Sequence, residues 1–167
     1  MKESAAPSCL LKGLEEEVYT GTFEGEVVGL SHRIVLDMPQ YKREPDSRNV
    51  EYTTEPMRDY NELGCSLMSS RLCLREYLQQ LGGYTLVPGS TLSLESESEF
   101  RRSQPDNPYH AFIEENYGTR VVTTSCHINI GVDDPELLMR AWRVVRMETC
   151  LFLALTACSP FFDGRAT

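Results

Sequence analysis

Carboxylates are concentrated on the first predicted strand of the sequence, where three glutamates follow one another in GLEEEVYTG. Side chains alternate across a β-strand, so Glu15 and Glu17 are predicted on one face and Glu16 on the other. Two neighbouring carboxylates on one face repel each other unless they are protonated, solvated or bridged by a cation, and hard oxygen ligands suit Mg²⁺ or Mn²⁺. The spacing therefore indicates either a metal site or a solvated strand face.

Two further segments carry polar side chains that can reach the same side of a sheet. Glu51 stands in the predicted strand NVEYTT, between side chains that point to the opposite face. In VVTTSCHINIG, alternation places His127 and Asn129 on one face and apolar side chains on the other. If the three strands pair in one sheet, these groups converge with Glu15 and Glu17 on one hollow, although a histidine taken alone also suits a structural role.

Composition limits the classes of protein that remain. The 167 residues are 41% hydrophobic and 25% charged, which is the usage of a single globular domain over residues 1–167. A net charge of -9 repels nucleic acid and anionic membranes, so neither is an expected partner. The absence of a secretory signal pattern predicts a cytoplasmic protein. Six cysteines without a CxxC pair are expected to be small buried hydrophobes rather than zinc ligands or disulfides.

Five stretches have the alternation and composition of strands: residues 10–20, 27–30, 50–54, 84–87 and 121–131. The polar turn between the first two stretches predicts a hairpin. Along the chain there is no regular βαβ alternation, which favours an α+β domain built on a mainly antiparallel sheet.

Two helices and two loops complete the predicted order. Leucines spaced by three, four and seven residues predict an amphipathic helix over residues 60–81. Asp134 followed by Pro135 predicts the start of a second helix, which extends to about residue 157 and ends as a buried segment. Residues 38–49 and 93–108 are polar and contain proline, and we interpret both as exposed loops.

The chain contains five long motifs in the order LLKGLEEEVYTG, REPDSRNVEYTT, GYTLVPGSTLSL, NPYHAFIEENYGTRVVTTSCHINIGVDDPE and LFLALTACSPFFDG. Together they resemble the N-terminal part of bacterial glutamate–cysteine ligases, especially the cyanobacterial and proteobacterial type. The resemblance implies a curved antiparallel sheet similar to that of glutamine synthetase. It also implies a ligase with the partners ATP, L-glutamate and L-cysteine, which forms γ-glutamylcysteine through an acyl phosphate in the first step of glutathione biosynthesis.

The resemblance also implies roles for single residues. It implies that Mg²⁺ or Mn²⁺ is held by four of them: Glu15, Glu17, Glu51 and His127. For Glu44 and Asn129 it implies a substrate or nucleotide contact, with Asp46 close enough to compete with Glu44 for the same alignment position. Cys126 is expected to face the core and to have no part in catalysis, and no catalytic residue is assigned.

In the resembling family the chain continues beyond the SPFFDG motif. This sequence is therefore expected to be a truncated form or one part of a split enzyme. A noncatalytic metal- or nucleotide-binding remnant, or a related carboxylate–amine ligase with other substrates, is the alternative. An open sheet edge would also favour self-association or complementation by a C-terminal half.

Overall fold

Strands and helices follow one another irregularly along the chain, as the sequence predicts. The computed structural model describes residues 10–158, 161–162 and 165–166. Its strands are β1 Leu11–Gly21, β2 Lys42–Arg43, β3 Asn49–Thr53, β4 Thr85–Val87, β5 Thr91–Ser93, β6 Val121–Thr123, β7 Cys126–Gly131, β8 Phe161–Phe162 and β9 Arg165–Ala166. Its α-helices are α1 Ser31–Asp37, α2 Tyr60–Gly82, α3 Pro108–Tyr117, α4 Pro135–Met147 and α5 Thr149–Thr156.

A five-stranded sheet is built around β1. One edge of β1 pairs with β3, which pairs in turn with β2. The other edge pairs with β7 over residues 11–16 and with β4 over residues 19–21. All of these pairings are antiparallel and the sheet does not close on itself, which confirms the predicted α+β class with an antiparallel sheet.

The two faces of β1 contact different layers. On the helix side, a buried apolar cluster combines strand and helix residues: Val18, Val50, Tyr52, Ile34, Leu74 and Leu78. Tyr19 points the other way and packs with Leu94 and Val122, and its hydroxyl donates to the Val122 carbonyl oxygen at 2.5 Å. Alternate residues of β1 therefore serve opposite faces, which decides which of the glutamates share a side.

Helix α2 confirms the helix predicted over residues 60–81. The Asp59 carboxylate accepts hydrogen bonds from the backbone N–H groups of Asn61 and Glu62 at 2.8 and 3.0 Å, and so satisfies two donors that a helix start leaves free. At the other end Gly83 has a φ of 75°, a left-handed conformation that glycine adopts without a Cβ penalty. Both ends of α2 thus follow from local sequence.

The second predicted helix forms as two helices. Asp134 caps α4 as predicted, by accepting from the N–H groups of Glu136 and Leu137 at 2.8 and 3.2 Å. The chain bends at Glu148, whose φ of -93° and ψ of 14° depart from helical values. Within the part of the chain that the structure describes, α4 and α5 contain no buried residue. The prediction of a buried helix end is therefore wrong. None of the described helices is long and apolar enough to cross a membrane.

Two strand predictions also need correction. After the turn at residues 22–26, only an isolated bridge between Gly21 and Val27 forms, and α1 begins at Ser31 where a strand is predicted to end. Residues 121–131 form two strands instead of one, because β6 pairs with β5 in a separate sheet while β7 pairs with β1. Helices α1 and α3 have no counterpart among the predicted elements.

The cysteines are not the buried hydrophobes that the sequence predicts. The described cysteines are exposed free thiols: Cys65, Cys73, Cys126, Cys150 and Cys158. Cys9 lies outside the described residues. Cys126 pairs in register with Glu16 and so shares the helix side of the sheet, but it is exposed there instead of lying in the core. The layer of α1 and α2 covers the part of the sheet around β3 and leaves this end of β7 open to solvent.

The segment between α1 and β3 is not the exposed loop that its charges predict. Arg48 donates from Nε and Nη2 to the two carboxylate oxygens of Asp46 at 2.8 and 2.7 Å, and these side chains are only 7% and 0% exposed. Asp46 also accepts from the backbone N–H groups of Arg48 and Arg101. An ion pair whose carboxylate is fully hydrogen-bonded avoids the cost of an isolated buried charge, so charged residues can be buried in this segment.

Candidate metal and substrate site

Two cross-strand pairs place the predicted acidic groups on one face of the sheet. Glu17 of β1 lies opposite Glu51 of β3, and Glu15 lies opposite His127 of β7. Directly opposed residues of antiparallel strands have their side chains on the same face. Asn129, two residues after His127 in β7, shares this face as well. The structure therefore gathers the strand residues that the sequence assigns to the site.

Glu44 joins this face and completes a group of three carboxylates. It follows β2, which pairs with β3, and one carboxylate oxygen from each of Glu17, Glu44 and Glu51 lies within 4.8 Å of the others. Three anionic oxygens at this spacing suit the hard-ligand preference of Mg²⁺ and Mn²⁺. The sequence assigns Glu44 to substrate or nucleotide, whereas its position lies among the candidate metal ligands.

The surroundings of the three carboxylates change the pKa of one of them, Glu44. Burial, followed by the negative charges of Glu17 and Glu51, raises the pKa of Glu44 to about 7. Lys42 and His127 lower this pKa by smaller amounts. Lys42 Nζ donates to Glu51 Oε1 at 2.7 Å, and this hydrogen bond raises the pKa of Lys42. Near neutral pH, Glu44 therefore holds a proton for part of the time, and a divalent cation would compete with that proton.

His127 is oriented by two side chains beside the three carboxylates. Its Nδ1 lies 3.0 Å from Glu15 Oε2, and its Nε2 lies 3.1 Å from Ser125 Oγ. The backbone N–H of Ser125 donates to Glu17 Oε2 at 3.1 Å. The break between β6 and β7 therefore positions both the imidazole and one of the candidate metal ligands.

We call the sheet face that carries Glu15, Glu17 and Glu51 the acidic face. Beside it opens a cavity of about 180 Å³, which is lined by Glu17, Glu44, Asn49 and Tyr109 among others. Asn49 is only 2% exposed, and its Oδ1 has no hydrogen-bond partner among the described residues. A buried carbonyl oxygen without a donor is costly, so this residue marks a polar point in an otherwise covered part of the site. A second cavity, of about 470 Å³, is lined in part by Glu15, Lys42 and Asn129.

Asp46, the acidic neighbour of Glu44, has a structural task. Both of its carboxylate oxygens accept hydrogen bonds from Arg48, so they are not presented to the site. Ser103 binds the same segment, because its hydroxyl donates to the Glu44 carbonyl oxygen and its N–H donates to the Pro45 carbonyl oxygen at 2.9 Å. The buried ion pair and Ser103 thus hold the backbone that presents Glu44.

Glu16 serves the opposite face of β1, as the alternation predicts. The Tyr52 hydroxyl donates to one of its carboxylate oxygens, and Arg71 of α2 donates to the other. These bonds connect β1 to β3 and α2 on the side away from Glu15 and Glu17. The run of three glutamates therefore consists of two residues on the candidate site and one structural carboxylate between them.

Three residues of the site are absent from the predicted set: Lys42, Asn49 and Ser125. Two of them had a signal in the sequence, because Lys42 stands two residues before Glu44 and Ser125 two residues before His127. That spacing places side chains on one face of an extended segment. Asn49 had no comparable signal, since its importance follows from burial.

Metal affinity of the cluster is expected to depend on pH through Glu44. Because its pKa in the folded protein is about 7, Glu44 keeps its proton below that pH, and a bound cation must displace it. We expect Mn²⁺ affinity, measured by calorimetric titration, to rise about tenfold from pH 6 to pH 8. The Glu44→Gln variant has no such proton and should show a clearly shallower profile. An equally steep profile in that variant would assign the dependence to another group.

The fold has relatives among solved structures. A bifunctional glutathione synthetase from Pasteurella multocida superimposes with a TM-score of 0.58 at 20% identity, over 81% of this chain and 19% of that chain. A glutamate–cysteine ligase from Francisella tularensis, solved in complex with AMP, superimposes with a TM-score of 0.55 at 13% identity, over 86% of this chain and 30% of that chain. At these identities the likeness shows the fold, and it supports the predicted fold class.

Two sequence relatives carry similar names. The chain is 25% identical over 166 residues to a protein of Streptomyces avermitilis named as a candidate glutamate–cysteine ligase 2-1, with 92% of this chain and 44% of that protein covered. It is 26% identical over 130 residues to a candidate glutamate–cysteine ligase 2 of Roseiflexus sp. strain RS-1, with 77% of this chain and 34% of that protein covered. The chain thus spans less than half the length of these relatives.

The family profile described as "Glutamate-cysteine ligase family 2 (GCS2)" matches residues 11–167. The match includes every strand of the acidic face, from β1 to β7, together with the helices that cover the sheet. This chain belongs to glutamate–cysteine ligase family 2.

Proposed function

We propose that this chain carries the metal-binding face of an ATP-dependent ligase that joins the γ-carboxylate of L-glutamate to the amino group of L-cysteine. The product would be γ-glutamylcysteine, the first intermediate of glutathione biosynthesis. One observation carries the proposal. On one face of the sheet, one carboxylate oxygen from each of Glu17, Glu44 and Glu51 lies within 4.8 Å of the others, in a chain that belongs to this ligase family.

The chain's own residues would hold the reactants as follows. Glu17, Glu44 and Glu51 would supply oxygen ligands, with Glu15 and His127 beside them. When bound, Mg²⁺ or Mn²⁺ would neutralise the charge that develops on phosphate oxygens during phosphoryl transfer. The AMP in the Francisella tularensis structure of the same fold supports a nucleotide as a partner.

The small cavity next to Glu17 and Glu44 would take part of an amino-acid substrate. Its wall combines the apolar Ile113 and the aromatic Tyr109 with the amide residue Asn49. The apolar part of this wall would keep water away from the reacting groups. Orientation of the two substrates would then supply much of the rate enhancement.

The stoichiometry of the reaction tests the proposal. The chain is incubated with Mg²⁺, ATP, L-glutamate and L-cysteine, and ADP and dipeptide are measured together. We expect equal amounts of both, formed only when every reactant is present. The ratio of products is therefore more informative than the rate.

A matched pair of variants assigns the activity to the acidic face. Glu17→Gln removes a candidate ligand, whereas Glu16→Gln changes the neighbouring residue on the opposite face. We expect the activity to fall about 100-fold or more in Glu17→Gln, and we expect Glu16→Gln to keep most of its activity. Nucleotide binding without ADP formation would instead support a noncatalytic protein, and ADP formed with other substrates would support a related carboxylate–amine ligase.

A further inference from the structure

Glu17, Glu44 and Glu51 form a group that we call the acidic cluster. Lys42 contacts this cluster directly. Strand β2 places it opposite Glu51 in the antiparallel register, and its Nζ lies 2.7 Å from Glu51 Oε1. The Lys42 side chain is 58% exposed, whereas that of Glu51 is 12% exposed. The ammonium group therefore lies on the solvent side of a carboxylate that is itself largely covered.

The carboxylate that binds Lys42 is also one of the three candidate metal ligands. One carboxylate oxygen of Glu51 lies within 4.8 Å of a carboxylate oxygen of Glu17 and of one of Glu44. A divalent cation bound between these residues would stand a few ångströms from the Lys42 ammonium, and charges of the same sign repel strongly at that distance. The two cations therefore compete for Glu51.

We propose that Lys42 is the resident counter-ion of the acidic cluster, and that a divalent cation binds there by displacing the Lys42 ammonium from Glu51. This inference rests on the metal site of the proposed function. It is favoured by the high exposure of the Lys42 side chain, because an exposed lysine can leave for solvent at little cost. Among the described residues, Lys42 and His127 both lower the pKa of Glu44 by their charge, and the effect of Lys42 is the larger of the two.

Substitution of Lys42 tests the competition. Lys42→Met keeps the aliphatic stem and removes the charge, so Mn²⁺ should bind about five- to tenfold more tightly in calorimetry. Arg33→Met is a matched control, because Arg33 is also 58% exposed and forms a comparable ion pair with Asp37 at 2.8 Å. Its effect on Mn²⁺ affinity should be small. Equal effects of the two variants, or weaker binding in Lys42→Met, would overturn the inference.

Chemical labelling tests the displacement itself. The sequence contains three lysines, Lys2, Lys12 and Lys42, so an amine-directed acetylating reagent followed by mass spectrometry can report on each. Saturating Mn²⁺ should increase the labelling rate of Lys42 several-fold and leave that of Lys12, which is 5% exposed, unchanged. If Mn²⁺ binds and Lys42 labelling does not change, the displacement is wrong while the metal site stands. If Mn²⁺ does not bind, both are wrong.

Discussion

Asp46→Asn is expected to lower the free energy of unfolding by about 3–5 kcal/mol, measured by urea denaturation. The reason is that the substitution leaves the guanidinium of Arg48 as a buried charge without its counter-ion. In the native protein Asp46 accepts both side-chain bonds from Arg48 and two backbone N–H bonds, and its side chain is fully buried. Removing one partner of a buried pair costs much more than the pair contributes to stability.

Asp37→Asn is the control for that substitution. Asp37 also pairs with an arginine, Arg33, at 2.8 Å, but both side chains are in contact with solvent. Water screens such a pair, so we expect little change in the denaturation midpoint. Similar destabilisation by the two substitutions would show that the Asp46–Arg48 pair does not behave as a buried ion pair.

The same ion pair connects stability to the candidate site. Asp46 and Ser103 hold the backbone from the Glu44 carbonyl group to residue 46, and the Glu44 carboxylate belongs to the acidic cluster. At temperatures where Asp46→Asn remains folded, a less restrained segment should also present Glu44 less accurately. Weaker Mn²⁺ binding in the folded variant would therefore accompany the loss of stability.

Glu17→Gln combined with Glu51→Gln is expected to weaken Mn²⁺ binding by about 100-fold or more. Both substitutions replace a carboxylate by an amide of the same shape, so the loss reflects charge and ligand quality. In the absence of metal the double variant should be at least as stable as the wild type, because repulsion from Glu44 is removed. Calorimetric titration for affinity and thermal denaturation for stability provide the two measurements.

Glu16→Gln serves as the control for the acidic face. Its carboxylate is bonded to Tyr52 and Arg71 on the helix side, so its replacement should lower stability and leave Mn²⁺ affinity nearly unchanged. Glu15→Gln should have an intermediate effect on affinity, since Glu15 is hydrogen-bonded to His127 beside the three carboxylates. Identical Mn²⁺ affinity in the wild type and the double variant would show that Glu17 and Glu51 do not bind the metal.

Short-range pattern was enough to predict several features of this protein. Alternation along one strand correctly separates Glu16 from Glu15 and Glu17, because the two-residue period of a strand is a property of the backbone alone. The predicted cap of α4 is equally local, since the Asp134 carboxylate bonds to N–H groups two and three residues away. The long motifs also led to the correct family.

Only the tertiary structure decided which of these groups meet. Glu44 reaches Glu17 through the pairing of β2 with β3 and of β3 with β1, and no local period encodes such long-range neighbours. The division of residues 121–131 into two strands likewise depends on which partner each half finds. Burial of Asp46 with Arg48, against the charge of their segment, depends on a stretch 51 to 55 positions away: Arg48 donates to the Glu99 carbonyl oxygen, and the Arg101 backbone N–H donates to Asp46. Periodicity assigns side chains to a face, whereas distance and burial come from contacts between residues far apart in the sequence.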